Sequence, residues 1–486
     1  MKIPRSKAFW LVFPIGILLF TYACIKSATS SFTHDESFSY LVYVHDHFMD
    51  ILSFANSYTN NHILNTLAMK YSEKLFGSSE IALRLPNLIL FLVYMWYCYL
   101  LFKKEKTFLV VAAFILLCTN TLLADLFGLA RGYGMSCGFM LMSLYHFLQF
   151  LDVPAKRHLI LFHAASLLAI LSSFTLAPFY AASLLVYTII IFLDHKFISK
   201  KKYHFFRSIK VHIIPFLIVT AILYEPVRRL IKFGTLDFGG KEGFYENTIT
   251  SLINNSFYGI PLSPGMIVCV QVIFTGIIFL SSFIIFRKIK SGDQVFFTKH
   301  KALIVSDLLI IFLSIAFILQ HTFFGIDYPV GRFSVFFYPL FTIHLFFLLS
   351  YFATINSKAT IYGALALALF SATAFAVKAD IHSSAEWKFD SQTKNMLLKL
   401  KAQHAGDKSS KKIKIGINWL FQPSIEFYRQ TTGLDWLLPI ERSAISENDN
   451  YYYIFKEDQK LLDTSAYIEI AGFEDIHTVL LKNIKR

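Results

Sequence analysis

Long apolar segments recur along most of the chain, and they constrain its fold more than any other feature. We count about eleven that approach the length an α-helix needs to cross a bilayer. Hydrocarbon offers no partner to unpaired backbone groups, so such segments fold as helices that satisfy their own hydrogen bonds. The predicted spans are 9–25, 81–102, 108–124, 133–151, 158–173, 175–193, 211–224, 265–286, 302–320, 333–352 and 358–377.

The composition agrees with an α-helical polytopic membrane protein. Of the 486 residues, 55% are hydrophobic and only 16% are charged, whereas a soluble protein carries about 25% charged residues. The chain also has 52 Phe and 25 Tyr, which suit lipid-facing helices with aromatic ends at the membrane interface. Its five cysteines fall in or beside apolar segments, so the sequence predicts neither a disulfide framework nor a cysteine metal site.

The net charge of +14 indicates anionic partners. Nucleic acid is the usual candidate for a basic chain, but here the lysines and arginines gather in short loops between apolar segments. Anionic lipid head groups are therefore the expected partners, and no nucleic acid is expected. The basic loops fall on alternate connections, which places them with the N-terminus on the cytoplasmic side. They are 103–106, 156–157, 196–210 and 287–301.

This topology predicts a multi-pass protein of the inner (plasma) membrane. The first apolar run follows Lys2, Arg5 and Lys7 and resembles a signal peptide, but its length favours a retained helix. Four parts of the chain then lie on the outer, periplasmic or extracytoplasmic, side. They are the loop 26–80, the turn 125–131, the loop 225–264 and everything after about residue 378.

The two longest outer parts differ in character. Apolar residues between Ile63 and Phe76 recur at helical spacing, which predicts a helix on the membrane interface or one packed on the protein's own outer surface. Residues 385–486 carry more charge and no spanning run, and we expect a small soluble α/β domain there, after a transmembrane domain of residues 1–380. Its predicted elements are strands at 413–417, 451–455, 467–470 and 479–481, a helix start at 423–429 and a linker at 408–412.

Polar groups that can carry chemistry collect on the predicted outer face. Asp35 and Glu36 follow the first span in the motif His34-Asp35-Glu36, and ionisable groups at membrane depth are costly enough to indicate function. Carboxylates and arginines from distant segments on one rim predict one cavity, which would hold an anionic group and a proton acceptor. The other members of this set are Asn61, His62, Glu80, Arg84, Asp125, Arg131 and Arg332.

Each of these residues also has a purely structural explanation. An arginine at the end of a span commonly extends to lipid phosphates, and Glu80 or Asp125 can neutralise a neighbouring arginine. His62 can be a loop histidine bound to backbone. The chain contains no HExxH, P-loop or nucleophile-elbow pattern, so the commonest signatures of soluble enzymes are absent.

Four motifs of the outer face carry a family resemblance. They are His34-Asp35-Glu36, Asn60-Asn61-His62-Ile63-Leu64, the stretch Leu75–Pro86, and Ala130-Arg131-Gly132-Tyr133. Together they resemble the GT-C class of integral membrane glycosyltransferases, in particular the bacterial family-39, aminoarabinose-transferase and protein-mannosyltransferase type. The likeness extends in architecture over residues 1 to about 380 and is weaker at Tyr328–Arg332.

The resemblance implies an inverting glycosyltransferase that uses a polyprenyl-phosphate-linked sugar on the outer face. It implies Asp35 as the general base that activates an acceptor hydroxyl, with Glu36 assisting or positioning the acceptor. Arg131 and Arg332 are the candidates for the donor phosphate, since a guanidinium binds phosphate through two donors, and His62 is a weaker candidate. Arg84, Glu80, Asp125 and Asn61 are expected in support. No cofactor is implied with certainty, and a divalent metal at the acidic motif is left open.

Two other functions stay open. A transporter or flippase of a lipid-linked or anionic solute would need ionisable groups near mid-span and commonly shows inverted repeats, whereas the charges here lie mainly at span ends. A scaffold that presents residues 385–486 would lose its function when they are removed. The sequence does not determine the sugar, nor whether the acceptor is a lipid, a glycan or a protein.

Overall fold

The computed structural model describes residues 6–485, apart from 57, 59, 196–207, 234–238, 258–259, 261, 407–411, 443–444, 446–448 and 464–465. Most of the predicted basic loop 196–210 and of the predicted linker 408–412 therefore lies outside the described residues. Helices dominate the chain up to residue 378, and a small sheet follows them.

The helices of the first part begin and end close to the apolar segments of the sequence. In chain order they are α1 (Lys7–Thr29), α2 (His34–Ser39), α3 (Phe48–Ser53), α4 (Ile63–Phe76), α5 (Glu80–Phe102), α6 (Thr107–Cys118), α7 (Thr121–Phe127), α8 (Gly132–Asp152), α9 (Lys156–Ser172), α10 (Ala177–Asp194), α11 (Ile213–Phe233), α12 (Thr250–Ser256), α13 (Pro264–Lys290), α14 (Gln294–Lys299), α15 (Lys301–Phe324), α16 (Phe337–Phe352) and α17 (Ser357–Lys378).

Membrane-spanning helices make up most of this part of the protein. Among the described residues, 8 helices are long and apolar enough to cross a bilayer, or up to 9 if α6 and α7 form one span across their 68° bend. The expected number of about eleven is therefore not confirmed, although a helix occupies every predicted segment. The two predicted spans that do not meet the length and hydropathy expected of a membrane-spanning helix are 133–151 and 158–173, which form α8 and α9.

The composition of α8 and α9 explains why they do not resemble lipid-facing spans. Helix α9 has only 17 residues. Helix α8 has 21 residues, but glycines, serines and a histidine dilute its apolar character, and most of its side chains are buried against other helices. Small residues at helix contacts let backbones approach closely. Helix α8 is thus an interior helix between α5 and α9, and it begins where the candidate site lies.

A buried ion pair joins three parts of the chain beside the bend between α6 and α7. Lys26 Nζ at the end of α1 lies 2.5 Å from a carboxylate oxygen of Asp125 in α7, and both side chains are 1% exposed. The same ammonium donates to the carbonyls of Asp380 and Ser383, which follow α17. Three acceptors around one ammonium offset its desolvation. This contact holds the segment after the last span against the end of α1 and against α7.

The predicted helix of the first outer loop is present as α4. Its buried side, which includes Asn65, Thr66 and Met69, packs on the protein, as one of the two alternatives expected. Tyr71, Leu75 and Phe76 leave the opposite side apolar and exposed. Both properties place α4 at the border between the protein and its apolar surroundings.

The C-terminal part is a small α/β layer, as the strand patterns predict. It contains α18 (Thr393–Gly406), β1 (Ile415–Ile417), α19 (Gln422–Thr431), β2 (Tyr451–Phe455), β3 (Tyr467–Phe473) and β4 (Thr478–Asn483). The strand order is β1-β2-β4-β3. Strands β1 and β2 are parallel, whereas β4 pairs with β2 and β3 in antiparallel fashion, with a bulge between Glu469 and Ala471.

This α/β layer shares a hydrophobic core with the first outer loop. The ring of Phe32 stacks on Phe427 of α19 at 4.2 Å, and Tyr40 packs edge-on against the same ring. The backbone N–H of Phe32 donates to the hydroxyl of Tyr428 at 2.8 Å. Burial of these rings contributes about 1.5–3 kcal/mol per side chain. The C-terminal region is therefore packed against the residues that flank the His34-Asp35-Glu36 motif.

One charged cluster lies inside the bundle, away from the outer rim. Asp307 of α15 accepts hydrogen bonds from Ser281 and Ser282 of α13 at 2.5 and 2.8 Å. His344 of α16 donates to or accepts from Ser281 at 3.0 Å. Because α13 buries little else, this polar network fastens α13 to the bundle. Sequence inspection placed charges mainly at span ends and missed it.

Candidate active site

Helix α2, which carries the acidic motif, begins with a capping box. The N–H of Thr33 donates to Glu36 Oε2 at 3.0 Å, and the N–H of Glu36 reaches the Thr33 hydroxyl in return. This reciprocal pattern satisfies two backbone donors that a helix start leaves unpaired. The sequence Thr33-His34-Asp35-Glu36 thus folds into a helix start whose first turn presents both carboxylates.

Glu36 points into the protein and holds Arg84. Its two carboxylate oxygens accept from Arg84 Nε and Nη2 at 2.8 and 2.7 Å, and neither side chain is exposed (0%). The N–H of Ala130 donates to Glu36 Oε1 at 2.6 Å. The hydrogen bonds from Arg84, Ala130 and Thr33 occupy both carboxylate oxygens of Glu36. Glu36 therefore has no free oxygen with which to bind the substrate that receives the sugar. This corrects the expectation that Glu36 positions the acceptor.

Arg84 ties α5 to the connection between α1 and α2. Its Nη1 donates to the carbonyls of Ser27 and Ser30 at 2.9 Å, and its Nη2 donates to the carbonyl of Ser31 at 2.8 Å. A guanidinium that is fully paired in this way stabilises structure and has no donor left for a ligand. The supporting role expected for Arg84 stays a prediction.

Asp35 points the other way and meets two arginines. Its Oδ2 lies 3.1 Å from Arg332 Nη2 and 3.5 Å from Arg131 Nη2. The three side chains come from α2, from the residue before α8 and from the short turn before α16. Asp35 retains 16% exposure, unlike Glu36. The structure thus brings together three of the predicted residues from segments far apart in sequence.

The two guanidinium groups control the protonation of Asp35. Burial alone would raise the pKa of this carboxyl, but the opposite charges of Arg131 and Arg332 outweigh burial, and the pKa lies below its usual value. Asp35 is therefore ionised at neutral pH. A carboxylate in this state can accept a proton or a hydrogen bond from a hydroxyl.

The segment after α17 supplies two residues that sequence inspection missed. Arg332 Nη1 lies 2.7 Å from a carboxylate oxygen of Glu386, and the guanidinium stacks over Trp387 at 4.7 Å. Arg332 Nε donates to the hydroxyl of Tyr133 at 3.3 Å. Neither residue belongs to a motif, so the sequence offered no signal for them. These contacts fix the orientation of the Arg332 guanidinium group.

Arg131 is almost completely buried, with 1% of its side chain exposed. Its Nη1 donates to the carbonyl of Asp35 at 3.2 Å, to the hydroxyl of Ser39 at 3.0 Å and to the carbonyl of Asn60 at 3.4 Å. Its Nε has no hydrogen-bond partner among the described residues. A buried donor without a partner costs about 1–3 kcal/mol, which indicates that a ligand group belongs there.

Comparison with known proteins identifies the fold. A sequence profile of the family described as dolichyl-phosphate-mannose-protein mannosyltransferase matches residues 63–220. The apo structure of ArnT from Cupriavidus metallidurans superposes with a TM-score of 0.52 over 98% of each chain, at 11% identity. The chain has a GT-C glycosyltransferase fold. The resemblance seen in the sequence motifs is thereby confirmed.

Other GT-C structures match over much of their length. The same ArnT bound to undecaprenyl phosphate gives a TM-score of 0.45 at 10% identity and covers 99% of each chain. The archaeal oligosaccharyltransferase AglB from Archaeoglobus fulgidus, in complex with an inhibitory peptide and a dolichol-phosphate, gives 0.43 at 12% identity and covers 94% of this chain and 70% of its own. No curated protein sequence matches this chain.

His62, the residue before α4, borders the same cluster of side chains. Its Nδ1 lies 2.7 Å from the carbonyl oxygen of Ser172, its ring packs edge-on against Tyr133 at 4.5 Å, and it is 9% exposed. Burial holds its pKa well below the usual range, so the ring is neutral. Since the carbonyl can only accept, Nδ1 carries the proton and Nε2 is an acceptor. A bare acceptor does not bind phosphate, which corrects the phosphate role expected for His62.

The other predicted residues pair with groups other than Asp35 in the part of the chain that the structure describes. Asn61 donates to the carbonyl of Ile51 at 3.3 Å and accepts from the Thr66 hydroxyl at 2.9 Å. Glu80 accepts from Lys394 at 2.7 Å and from the hydroxyl of Tyr428 at 3.0 Å. Glu80 thus pairs with a lysine of the C-terminal region, and its charge also acts on the nearby Arg84. Asp125 pairs with Lys26.

A divalent metal does not fit this arrangement. The described residues contain no group of three or more His, Cys, Asp or Glu side chains that could hold a metal ion. The partly exposed carboxylates of Asp35 and Glu386 each contact Arg332. A cation placed between them would face a fixed guanidinium at short range, and like charges repel. We therefore assign no catalytic step to a metal.

Asp390 connects the motif to the C-terminal layer. The backbone N–H of His34 donates to Asp390 Oδ2 at 2.6 Å, and the hydroxyl of Ser424 donates to Oδ1 at 2.8 Å. Burial raises the pKa of Asp390 to about 8, with a smaller contribution from the charge of Asp35. The position of α2, and with it Asp35, therefore depends on a carboxyl that titrates near neutral pH.

We expect Asp390 to contribute a loss of stability as the pH rises from about 4 to about 8. Asp390 keeps its proton in the folded state over this window but loses it in the unfolded state, so its titration favours unfolding at higher pH, by up to about 1.4 kcal/mol per pH unit. Asp390→Asn should remove this contribution, so the unfolding midpoint of the detergent-solubilised variant, measured at several pH values, should fall less or rise more with increasing pH than that of the wild type. The exposed Asp435→Asn is the control, and an unchanged slope in Asp390→Asn would contradict the assignment.

Proposed function

We propose that the protein transfers a sugar from a polyprenyl-phosphate donor to a hydroxyl-bearing acceptor on the extracytoplasmic side of the membrane, with inversion. The observation that supports this most is the carboxylate of Asp35 between the guanidinium groups of Arg131 and Arg332. A proton acceptor and fixed positive charge on one rim suit a reaction that deprotonates a hydroxyl and releases a phosphate. The basic loops of the sequence favour the outer side.

The proposed chemistry needs no group beyond the two substrates and these side chains. The acceptor oxygen forms a bond to the anomeric carbon while the bond between that carbon and the phosphate oxygen breaks. The acceptor proton passes to Asp35, and the bonding electron pair leaves with the polyprenyl phosphate. Arg131 and Arg332 stabilise the negative charge that grows on the phosphate, where a bidentate guanidinium is most effective.

Donor binding also explains why Asp35 lies so close to two arginines. In the structure Asp35 and Glu386 supply the negative charge that Arg332 needs. A donor phosphate would take over part of this pairing because it offers more charge and more acceptor oxygens. The pull of the arginines on Asp35 would then weaken and its pKa would rise, which makes it a better base. Asp35 would thus become active only with the donor in place.

The donor class has support from the family match. The matched family is described by a prenyl-phosphate-linked sugar, dolichyl-phosphate-mannose. The exposed apolar side of α4, the helix that begins after His62, also suits a substrate with a long hydrocarbon chain. We infer a polyprenyl-phosphate donor from these two observations, and leave the sugar and the acceptor to experiment.

The function is tested most directly in the cell envelope. Mass spectrometry of lipid-linked intermediates, with and without the protein, should show a polyprenyl-phosphate sugar that accumulates when the protein is removed. Its disappearance on complementation identifies the donor. A transporter gives a different result in sealed vesicles, because it moves the labelled lipid across the bilayer without cleaving it, whereas the enzyme releases polyprenyl phosphate. Vesicles that show movement without cleavage would reject the proposal.

Replacing Arg332 by Gln should lower kcat/KM for the donor about 10–100-fold, because a charged hydrogen-bond donor to phosphate contributes about 1.5–3 kcal/mol. The measurement is release of polyprenyl phosphate from a labelled donor in detergent micelles. Arg287→Gln is the matched control, since Arg287 lies exposed in the last turn of α13. Unchanged donor kinetics in the Arg332 variant would count against the phosphate role.

A further inference from the structure

Two buried polar atoms beside the ring of Tyr133 have no partner among the described residues. They are Arg131 Nε, a donor, and His62 Nε2. The His62 ring centroid lies 4.5 Å from that of Tyr133, and the Arg131 guanidinium carbon lies 5.7 Å from the same ring. Buried polar atoms in native proteins nearly always have partners. The unpaired Arg131 Nε and the unpaired His62 Nε2, both near the ring of Tyr133, therefore indicate that a ligand binds there.

The hydrogen-bonding state of His62 determines what this ligand offers. Nδ1 donates to the carbonyl of Ser172, and that carbonyl has no hydrogen to give, so the ring proton lies on Nδ1. Burial of the ring, together with the charges of Arg131 and Arg332, holds the pKa of His62 well below its usual range, so the ring is neutral. Its Nε2 therefore carries a lone pair and no proton. It needs a hydrogen-bond donor, such as a hydroxyl.

The backbone around His62 is shaped to hold this orientation. A Cβ atom on Gly132 would lie 1.9 Å from the carbonyl oxygen of Ser172 and 2.7 Å from Nδ1 of His62. Only glycine leaves room for the contact between His62 and Ser172 at the start of α8. The ring cannot turn to pair Nε2 elsewhere without losing that contact. The free acceptor is thus a consequence of a close-packed arrangement that spans α4, α8 and α9.

We propose that His62 Nε2 accepts a hydrogen bond from a ring hydroxyl of the donor sugar and so contributes to sugar recognition. This inference rests on the proposed function, in which Arg131 binds the donor phosphate. The sugar is bonded to that phosphate, so its hydroxyls are the donor groups that come nearest to Arg131. A buried acceptor of this kind disfavours a ligand that lacks the hydroxyl, because the acceptor then stays unpaired.

The test compares lipids that differ only in the sugar. Native mass spectrometry in detergent measures binding of undecaprenyl phosphate and of undecaprenyl phosphates that carry mannose, glucose, galactose or arabinose. We expect the wild-type protein to prefer at least one sugar-linked lipid over bare undecaprenyl phosphate. His62→Phe should reduce that preference about tenfold or more while leaving the affinity for undecaprenyl phosphate unchanged. His62→Gln, which keeps an acceptor oxygen, should retain part of the preference.

His45→Phe is the matched control, because His45 is an exposed histidine of the same outer loop. The inference is overturned if the wild type shows no preference for any of the sugars, or if His62→Phe keeps the full preference. It is also overturned if His62→Phe and His62→Gln weaken both kinds of lipid equally, since that means a structural role or a bound water only. A wild-type protein that binds neither kind of lipid would instead reject the proposed function itself.

Discussion

Asp35→Asn should reduce glycosyl transfer at least about a hundredfold while the protein remains folded. Asparagine keeps the size of the side chain and an acceptor oxygen toward Arg332, but it cannot take a proton from the acceptor hydroxyl, and general bases typically contribute about 10²–10⁴-fold. The measurement is transfer from the polyprenyl-phosphate sugar found in the envelope experiment. Retention of monodisperse protein on size exclusion shows that the variant is folded.

Asp152→Asn is the control for this prediction. Asp152 ends α8 at the end away from the site, and its carboxylate makes a long, exposed contact of 3.9 Å with Lys104. We expect wild-type transfer from this variant. Substantial transfer by Asp35→Asn would remove Asp35 as the base and leave the two arginines as the main catalytic groups.

Glu36→Gln should lower the free energy of unfolding by about 3–5 kcal/mol, because it leaves the buried guanidinium of Arg84 without a counter-charge. Such a loss is large beside the roughly 5–15 kcal/mol that keeps a typical protein folded. We expect low yield and a strongly reduced unfolding midpoint in detergent. This result would distinguish Glu36 from Asp35, whose replacement should affect transfer far more than stability.

Glu225→Gln provides the comparison on an exposed ion pair. Glu225 binds Arg228 and Arg229 within one turn of α11, and these side chains are partly open to the surroundings. Exposed pairs contribute little, so we expect no measurable change in the unfolding midpoint. A Glu36→Gln protein as stable as Glu225→Gln would show that the Glu36–Arg84 pair is dispensable, and a role for Glu36 in the reaction would have to be considered again.

Adjacent residues of one motif show where inference from sequence stops. Successive residues of an α-helix point about 100° apart, so Asp35 and Glu36 cannot both face the same side. The sequence shows that both are acidic but not which one faces the interior. The structure decides this by burying Glu36 against Arg84 and Ala130 and leaving Asp35 beside Arg131 and Arg332.

The residues that the sequence did not reveal lie after the last span. Glu386 and Trp387 carry no motif, and nothing in the chain before them says that residue 386 returns to residue 332. Their placement follows from the contacts of Lys26 with Asp380 and Ser383 and from the packing of the α/β layer on Phe32. Such contacts join residues more than 350 positions apart, which no local pattern encodes.

The sequence by itself determined the class of the protein and most of its elements. Apolar length and composition predict membrane helices because hydrocarbon penalises unpaired backbone groups. Short runs rich in β-branched, aromatic and other apolar residues in the C-terminal region predict the four strands. Only the tertiary structure decided that α8 is an interior helix, that Glu36 is buried and that the unpaired Nε2 of His62 lies beside Arg131. These properties depend on which distant side chains share one low-dielectric space, and there the energies of charges and hydrogen bonds are set by neighbours in space.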